Sequence, residues 1–251
     1  MKNVFVFLSI IVLSALSLLA TTSFALPGPK ITENGNKHNL SYSNTGVNFK
    51  ASDPNDPRGR QICIFCHTPH NAVSSRALWN RRDTTQTFGH YSSPNLHIAN
   101  ELKADSNYNE PNGSSRLCLS CHDGVTALGA VVRGPLPLSG TGDVAINGSV
   151  NTAMTGLNVF DRTKVTNNHH PVSFNYAGKV YEALMAGGYK LPTPGGKVKL
   201  DGEGRVQCTT CHDPHQTKDT AQPFWVWEDT GGSPSSHDAV CLSCHNFVVG
   251  F

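Results

Sequence analysis

The sequence predicts a loop-rich fold, with a small amount of short helix and β-hairpin, wrapped around material that its own side chains do not supply. Three observations lead there. Apolar residues make up only 38% of the chain, and many of them fall in one N-terminal run, which leaves a thin supply for a self-sufficient core. The chain holds 23 Gly and 15 Pro, enough to interrupt most regular structure. All 8 Cys belong to one short motif that recurs along the chain. Charged residues are 15%, too few for a charged disordered tail, so the chain is expected to fold around something.

From the N-terminus, residues 1–25 read as an export signal. Lys2 gives a positive start, residues 4–20 form an apolar run, and Ser23-Phe24-Ala25 offers small residues at a cleavage site. Ser9, Ser14 and Ser17 interrupt the run, which makes a membrane span the poorer reading, and no second span follows. No Cys precedes Cys63, so no lipid-carrying Cys is expected at the cleavage site. The expectation is an exported single domain, 26–251, without a membrane anchor. The formal net charge is +2, with no basic run longer than Arg81-Arg82, so nucleic-acid binding has no electrostatic footprint.

The cysteines fall as Cys63-Ile64-Phe65-Cys66-His67, Cys118-Leu119-Ser120-Cys121-His122, Cys208-Thr209-Thr210-Cys211-His212 and Cys241-Leu242-Ser243-Cys244-His245. Disulfides are the ordinary use of cysteine outside the cytoplasm, but they do not require the following His. Zinc takes paired C-x-x-C motifs, yet it too has no need of a His after every pair. With 12 His in 251 residues, a His follows a given position by chance about one time in twenty, so its presence at all four motifs is selective. C-x-x-C-H is the attachment signature of c-type haem: two thiols bond to one edge of the porphyrin, and the next residue brings an imidazole to the iron. Four haem groups are expected, and they are the missing core. Their propionates would make the loaded protein acidic.

An electron carrier needs a second axial ligand at each iron. Beyond the signal only Met154 and Met185 remain, neither near a motif. The histidines outside the motifs are His38, His70, His90, His97, His169, His170, His215 and His237. An internal repeat selects among them. The first and third motifs continue alike, His67-Thr68-Pro69-His70 against His212-Asp213-Pro214-His215, while the second and fourth share Cys-Leu-Ser-Cys-His. Ahead of the first and third lie His38-Asn39-Leu40-Ser41-Tyr42 and His170-Pro171-Val172-Ser173-Phe174. The chain therefore reads as two duplicated two-haem halves, about 26–160 and 161–251, whose distal ligands are His38, His70, His170 and His215. A His three residues beyond a motif His cannot easily reach the far face of its own iron, so His70 and His215 are expected to serve neighbouring haems. His169 is an alternative to its neighbour His170, His237 is a reserve ahead of Cys241, and His90 and His97 read as surface imidazoles.

Elsewhere, 123–168 is expected to be loop with hairpins. One hairpin is centred on Asn147-Gly148, between residues 144–146 and 150 onward. A second pairs 197–200 with 205–207 about Asp201-Gly202. Residues 181–186, closed by Gly187-Gly188, and residues 96–103 read as short helices. Phe224-Trp225-Val226-Trp227 reads as a core strand or a cover for a porphyrin face. No serine–histidine–aspartate arrangement, phosphate loop or carboxylate pair stands out.

On these motifs, with Asp123-Gly124 after the second, the chain resembles the secreted multihaem cytochromes with doubled C-x-x-C-H motifs. It looks most like the tetrahaem members that polymerise into extracellular cytochrome filaments. The resemblance covers nearly all of 26–251. It implies iron held between two histidines, haems stacked along the chain, and head-to-tail subunits in which one distal ligand comes from the next copy. The second His of C-H-x-P-H maps to His70 and His215, and His70 is favoured for the crossing. The partners implied are further copies of the chain and other redox proteins or extracellular acceptors. The expected function is electron transfer at the cell surface or beyond. A monomeric periplasmic shuttle and a reductase with one open haem are the rivals; the surplus of histidines over vacant ligand positions weighs against the reductase.

Overall fold

The computed structural model describes residues 30–69, 78–88, 111–132, 142–156, 159–160, 170–180, 188–217, 224–228 and 236–246. The signal at 1–25, His70, His90, His97, His169, Met185 and the helices expected at 96–103 and 181–186 lie outside the described residues.

Regular structure is scarce, and most of it carries motif cysteines. A single 3-10 turn spans Cys63–Phe65. Helix α1, Gly113–His122, carries the whole second motif. Helix α2, Cys208–Cys211, is one turn inside the third motif. Helix α3, Ser236–Cys241, delivers the chain into the fourth. The turn at Tyr176–Val180 is kinked at Gly178. β structure among the described residues consists of isolated antiparallel bridges. The loop-rich character expected from Gly and Pro is what the described residues have.

Helix α1 packs on α2, and Gln207, immediately ahead of α2, joins them. Its Oε1 accepts from Ser115 Oγ at 2.6 Å and Ser173 Oγ at 3.2 Å, and its Nε2 donates to Asn112 Oδ1 at 2.9 Å and Asp201 Oδ2 at 2.8 Å. Gln207 is 1% exposed, so these bonds satisfy polar groups that water does not reach. Ser115 Oγ also accepts from the Cys208 amide at 3.0 Å, and Ser114 Oγ meets Thr209 Oγ1 at 2.6 Å.

The apolar clusters are small and lie against the motifs. Ile64 and Phe65 pack with Leu40, Ala51, Leu128, Val131, Val144 and Ile146, and Cys121 and Met154 border this group. In the second half Val198, Val226 and Val240 pack beside Cys211, Trp225 and Trp227. Gly129 is required in the first cluster, because an added Cβ would lie 1.8 Å from the Val144 carbonyl oxygen. The Asn147-Gly148 turn forms with both residues at positive φ, as a two-residue hairpin loop demands, but its ladder stops at the Ile146–Ser149 bridge.

The second expected hairpin is corrected. The Asp201 turn is present, with the Gly204 amide donating to the Asp201 carbonyl at 3.0 Å. Residues 205 and 206, however, pair with 173–175 and not with 197–200: Asn175 bridges Arg205, and the Val206 amide donates to the Phe174 carbonyl at 3.1 Å. The stretch just after His170 is thereby fastened to the approach to the third motif, and Val198 is released to pack on Val226 and Val240.

Candidate haem-binding sites

Each attachment loop closes locally. The His67 amide donates to the Cys63 carbonyl at 2.7 Å, His212 to Cys208 at 3.0 Å and His245 to Cys241 at 2.9 Å. All 8 cysteines are free thiols, and among the described residues no three or more His, Cys, Asp or Glu gather as a metal-binding cluster.

Three of the loops are clamped in the same way by a distant segment. The Thr68 amide donates to the Leu78 carbonyl and the Asn80 amide to the Cys66 carbonyl, at 2.8 and 2.9 Å. Asp213 to Phe224 and Val226 to Cys211 repeat this at 2.6 and 3.0 Å. Asn246 to Gly188 and Lys190 to Cys244 repeat it again at 2.6 and 2.8 Å. The residue at the start of each clamp has positive φ: Leu78 at 63°, Phe224 at 62° and Gly188 at 86°. For a residue with a Cβ this conformation costs about 1–2 kcal/mol, and it recurs at one register in both halves. The central residue of each clamp is aromatic and stands on the motif imidazole: Trp79 is 5.6 Å from His67, Trp225 is 5.1 Å from His212 and Tyr189 is 4.8 Å from His245. Sequence reasoning missed these aromatics apart from Trp225, which it read as strand or porphyrin cover. The signal available was an apolar residue followed by Trp at nearly equal distance beyond the first and third motifs.

The motif histidines also face the other histidines. His38 and His122 have ring centres 6.1 Å apart at an interplanar angle of 77°. His67 and His215 are 6.2 Å apart at 17°. His170 and His245 are 6.4 Å apart at 80°. Two imidazoles opposed on one metal, with bonds of about 2 Å and each ring centre about 1 Å behind its nitrogen, have centres about 6 Å apart. In each pair one ring belongs to a C-x-x-C-H motif and the other does not.

The partner rings are held by the nitrogen that a metal would leave free. His38 Nδ1 lies 2.9 Å from the Pro214 carbonyl and His170 Nδ1 lies 2.7 Å from the Pro171 carbonyl. A carbonyl only accepts, so Nδ1 carries the proton and Nε2 keeps its lone pair. His215 Nδ1 faces Asp213 Oδ1 at 3.5 Å. His38 also stacks on Phe224, 4.0 Å away at 15°. The chain on either side of His38 is fixed by buried asparagines: Asn36 Oδ1 accepts from the His38 amide at 2.9 Å, and Asn44 Nδ2 donates to the Asn36 and Asn39 carbonyls at 2.9 and 2.6 Å.

Burial favours the neutral form of His38, His170, His67 and His245, the form that binds metal. Burial, with smaller contributions from the nearby His122, His215 and His212 rings, brings His38 down to about 4 against the opposing hydrogen bond to the Pro214 carbonyl. Burial likewise lowers His170 and His67, the latter aided by His215, and it lowers His245, aided by His170. Burial pushes the Cys66 and Cys211 thiols up to about 12. The Cys118 thiol donates to Cys208, which raises Cys118 and lowers Cys208.

Of the histidines expected from the sequence, His67, His122, His212, His245, His38, His170 and His215 are described, and six of them form the three pairs. His212 packs on Trp225. Helix α3 begins ahead of His237, whose side chain is not described. Met154 sits against the first apolar cluster.

Residues 202–249 match the family model of the doubled CXXCH motif. The match takes in Cys208, Cys211 and His212 with Cys241, Cys244 and His245, and it supports a multihaem c-type cytochrome with covalently bound haem. No curated protein matches the chain. The donors fit that cofactor: paired thiols on one turn, an imidazole beside them, and a second imidazole at trans-ligand separation. Haem held there supplies one-electron exchange at iron, the chemistry of electron transfer. Among the described residues no helix is long and apolar enough to cross a membrane.

Proposed function

We propose that the protein carries electrons through four covalently bound c-type haems, each held between two histidines, as the subunit of an extracellular filament. One observation carries the ligation: three motif histidines each oppose a non-motif histidine at 6.1 to 6.4 Å. On this reading His122 and His38 hold the second haem, His245 and His170 the fourth, and His67 and His215 the first. Cys63 and Cys66, Cys118 and Cys121, Cys208 and Cys211, and Cys241 and Cys244 attach the porphyrins. The pairing repeats with the duplication, since the His ahead of each half serves that half's second motif. By the same repeat, the equivalent of His215 is His70, which we assign to the third haem on His212, supplied by a neighbouring copy.

A ligand given to the next copy makes a directional contact that does not close on itself, and such contacts produce filaments. Two filled axial positions favour electron transfer over substrate chemistry at iron. Export by the 1–25 signal belongs to the same reading, because the electron acceptor would lie outside the cell.

The experiment is negative-stain electron microscopy of the secreted, haem-loaded protein, with an absorption spectrum of the same sample. Thin filaments and a wholly low-spin spectrum are expected, and His70→Ala should return discrete monomers. Monomers of the unaltered protein would favour a periplasmic shuttle. A high-spin band would point to a reductase with an open iron.

A further inference from the structure

Arg81 is the bulkiest of the fully buried side chains described, with 1% of its surface exposed. Every bond it makes ends on a neutral oxygen. Nε donates to Ser120 Oγ at 3.1 Å and to the Ser120 carbonyl at 3.3 Å. Nη1 donates to the Leu128 carbonyl at 2.6 Å and the Phe65 carbonyl at 3.4 Å. Nη2 donates to the Ser120 carbonyl at 2.7 Å and the Ala127 carbonyl at 2.9 Å. The N–H groups of the guanidinium are thus all engaged, and no carboxylate is among their partners. Buried charges are ordinarily paired with opposite charge. This one is hydrogen-bonded without being neutralised, so its field survives in a low-dielectric setting.

Its position is between two attachment loops, because Phe65 lies in the first motif and Ser120 in the second. Its charge bears on both Cys66 and Cys121. Among the described residues the duplicated half has no counterpart. The clamp hydrogen bonds align Leu78 with Phe224 and Asn80 with Val226, so Trp227 stands where Arg81 does. The cation over that ring, Lys197 at 5.5 Å, is 43% exposed and pairs with Glu228 at 3.4 Å.

We propose that Arg81 gives the electron path a direction: it holds the haem of the first motif at a higher reduction potential than its duplicate on the third, so that electrons settle toward the Cys63–Cys66 site. This rests on the four-haem reading above. Reduction adds one electron to a haem iron and removes one unit of positive charge, so a nearby buried cation stabilises the reduced form. For a charge about 10 Å away at an effective dielectric near 20, the reduction equilibrium shifts about tenfold, which is 59 mV for one electron. Asp123 lies near Cys121 and accepts from Thr126 and Val125. It opposes Arg81 at the second motif, so the first motif carries the larger shift.

The test is a redox titration of haem-loaded protein carrying Arg81→Gln or Arg81→Lys, beside NMR of the partly reduced unaltered protein. Arg81→Gln should lower one potential by about the tenfold equivalent, and Arg81→Lys, which keeps the charge, should restore most of it. In the unaltered protein the haem on Cys63 and Cys66 should become reduced before the haem on Cys208 and Cys211. Unmoved potentials in a fully loaded, low-spin Arg81→Gln protein would overturn the proposal alone. Should that variant fail to load haem, the order of reduction in the unaltered protein decides, and earlier reduction of the third-motif haem overturns it. Fewer than four haems by pyridine haemochrome assay would overturn the four-haem reading with it.

Discussion

Replacing Gln207 with Leu should loosen the junction between the second and third attachment loops. Besides a long contact from the Ser115 amide at 3.4 Å, the side chain makes three shorter bonds to neutral partners, Ser115 Oγ, Ser173 and Asn112, and one to the Asp201 carboxylate. At about 1 kcal/mol for each of the three shorter neutral bonds and about 1.5–3 for the charged one, the gross loss is about 4.5–6 kcal/mol. Leu recovers part of this by burying its own apolar surface, and water reaches Asn112 and Asp201, which are only partly buried. A net loss of about 2–4 kcal/mol remains, a large share of a typical stability of about 5–15 kcal/mol. Denaturant unfolding of the haem-loaded variant measures it. Because Ser115 also holds the Cys208 amide, the coupling between Soret bands of neighbouring haems should weaken as well. Gln207→Glu should be no milder, since it sets a carboxylate against Asp201. A loss under about 1 kcal/mol in both variants would refute the claim that this residue joins the two loops.

Three further outcomes follow from the geometry. Gly129→Ala should cost more than about 2 kcal/mol, seen as a clear drop in Tm, because the new Cβ would press on the Val144 backbone at 1.8 Å. Leu78→Gly should be nearly neutral, within about 0.5 kcal/mol by denaturant unfolding, because relief of the positive φ offsets the extra freedom of the unfolded chain. For Asp201, burial works against its charge, but hydrogen bonds from Arg205, Gln207 and Glu203 outweigh it and hold it below the usual 3.8. A carboxyl lowered in the folded state stabilises above its unfolded value and loses that contribution as pH falls through the folded one, so Asp201→Asn should flatten the acid limb of stability below about pH 4.

The four C-x-x-C-H motifs were legible because each is contiguous: two thiols and an imidazole within one turn leave an unmistakable spacing. The repeated His-x-aliphatic-Ser-aromatic pattern singled out His38 and His170, and the structure sets each beside a motif histidine. Which ring faces which was not legible, because that depends on contacts between distant segments. His67 meets His215 across the two halves, and no local pattern records such a meeting. The clamps escaped for a related reason. Trp79 and Trp225 follow their motifs through dissimilar loops, and Tyr189 comes ahead of its own, so the three copies share geometry while only the first and third share an apolar residue followed by Trp. The turn at Asp201 announced itself by Asp-Gly, but its neighbour did not. Residues 205 and 206 found 173–175 instead, because Ser173 at φ 67° turns its amide to the Val206 carbonyl at 2.6 Å. Arg81 was visible only as half of a short basic run, and nothing in the run distinguished the buried Arg81 from Arg82, which pairs with Asp143 at the surface.

The central claim, iron held between the observed histidine pairs, is tested most directly by low-temperature electron paramagnetic resonance of the fully oxidised, haem-loaded protein. Parallel imidazoles split the iron d orbitals along one direction, and perpendicular imidazoles cancel that splitting. The pair at 17° should therefore give an ordinary rhombic low-spin signal, and the pairs at 77° and 80° two strongly anisotropic ones. A high-spin ferric signal, or low-spin signals without the anisotropic pair, would contradict the account.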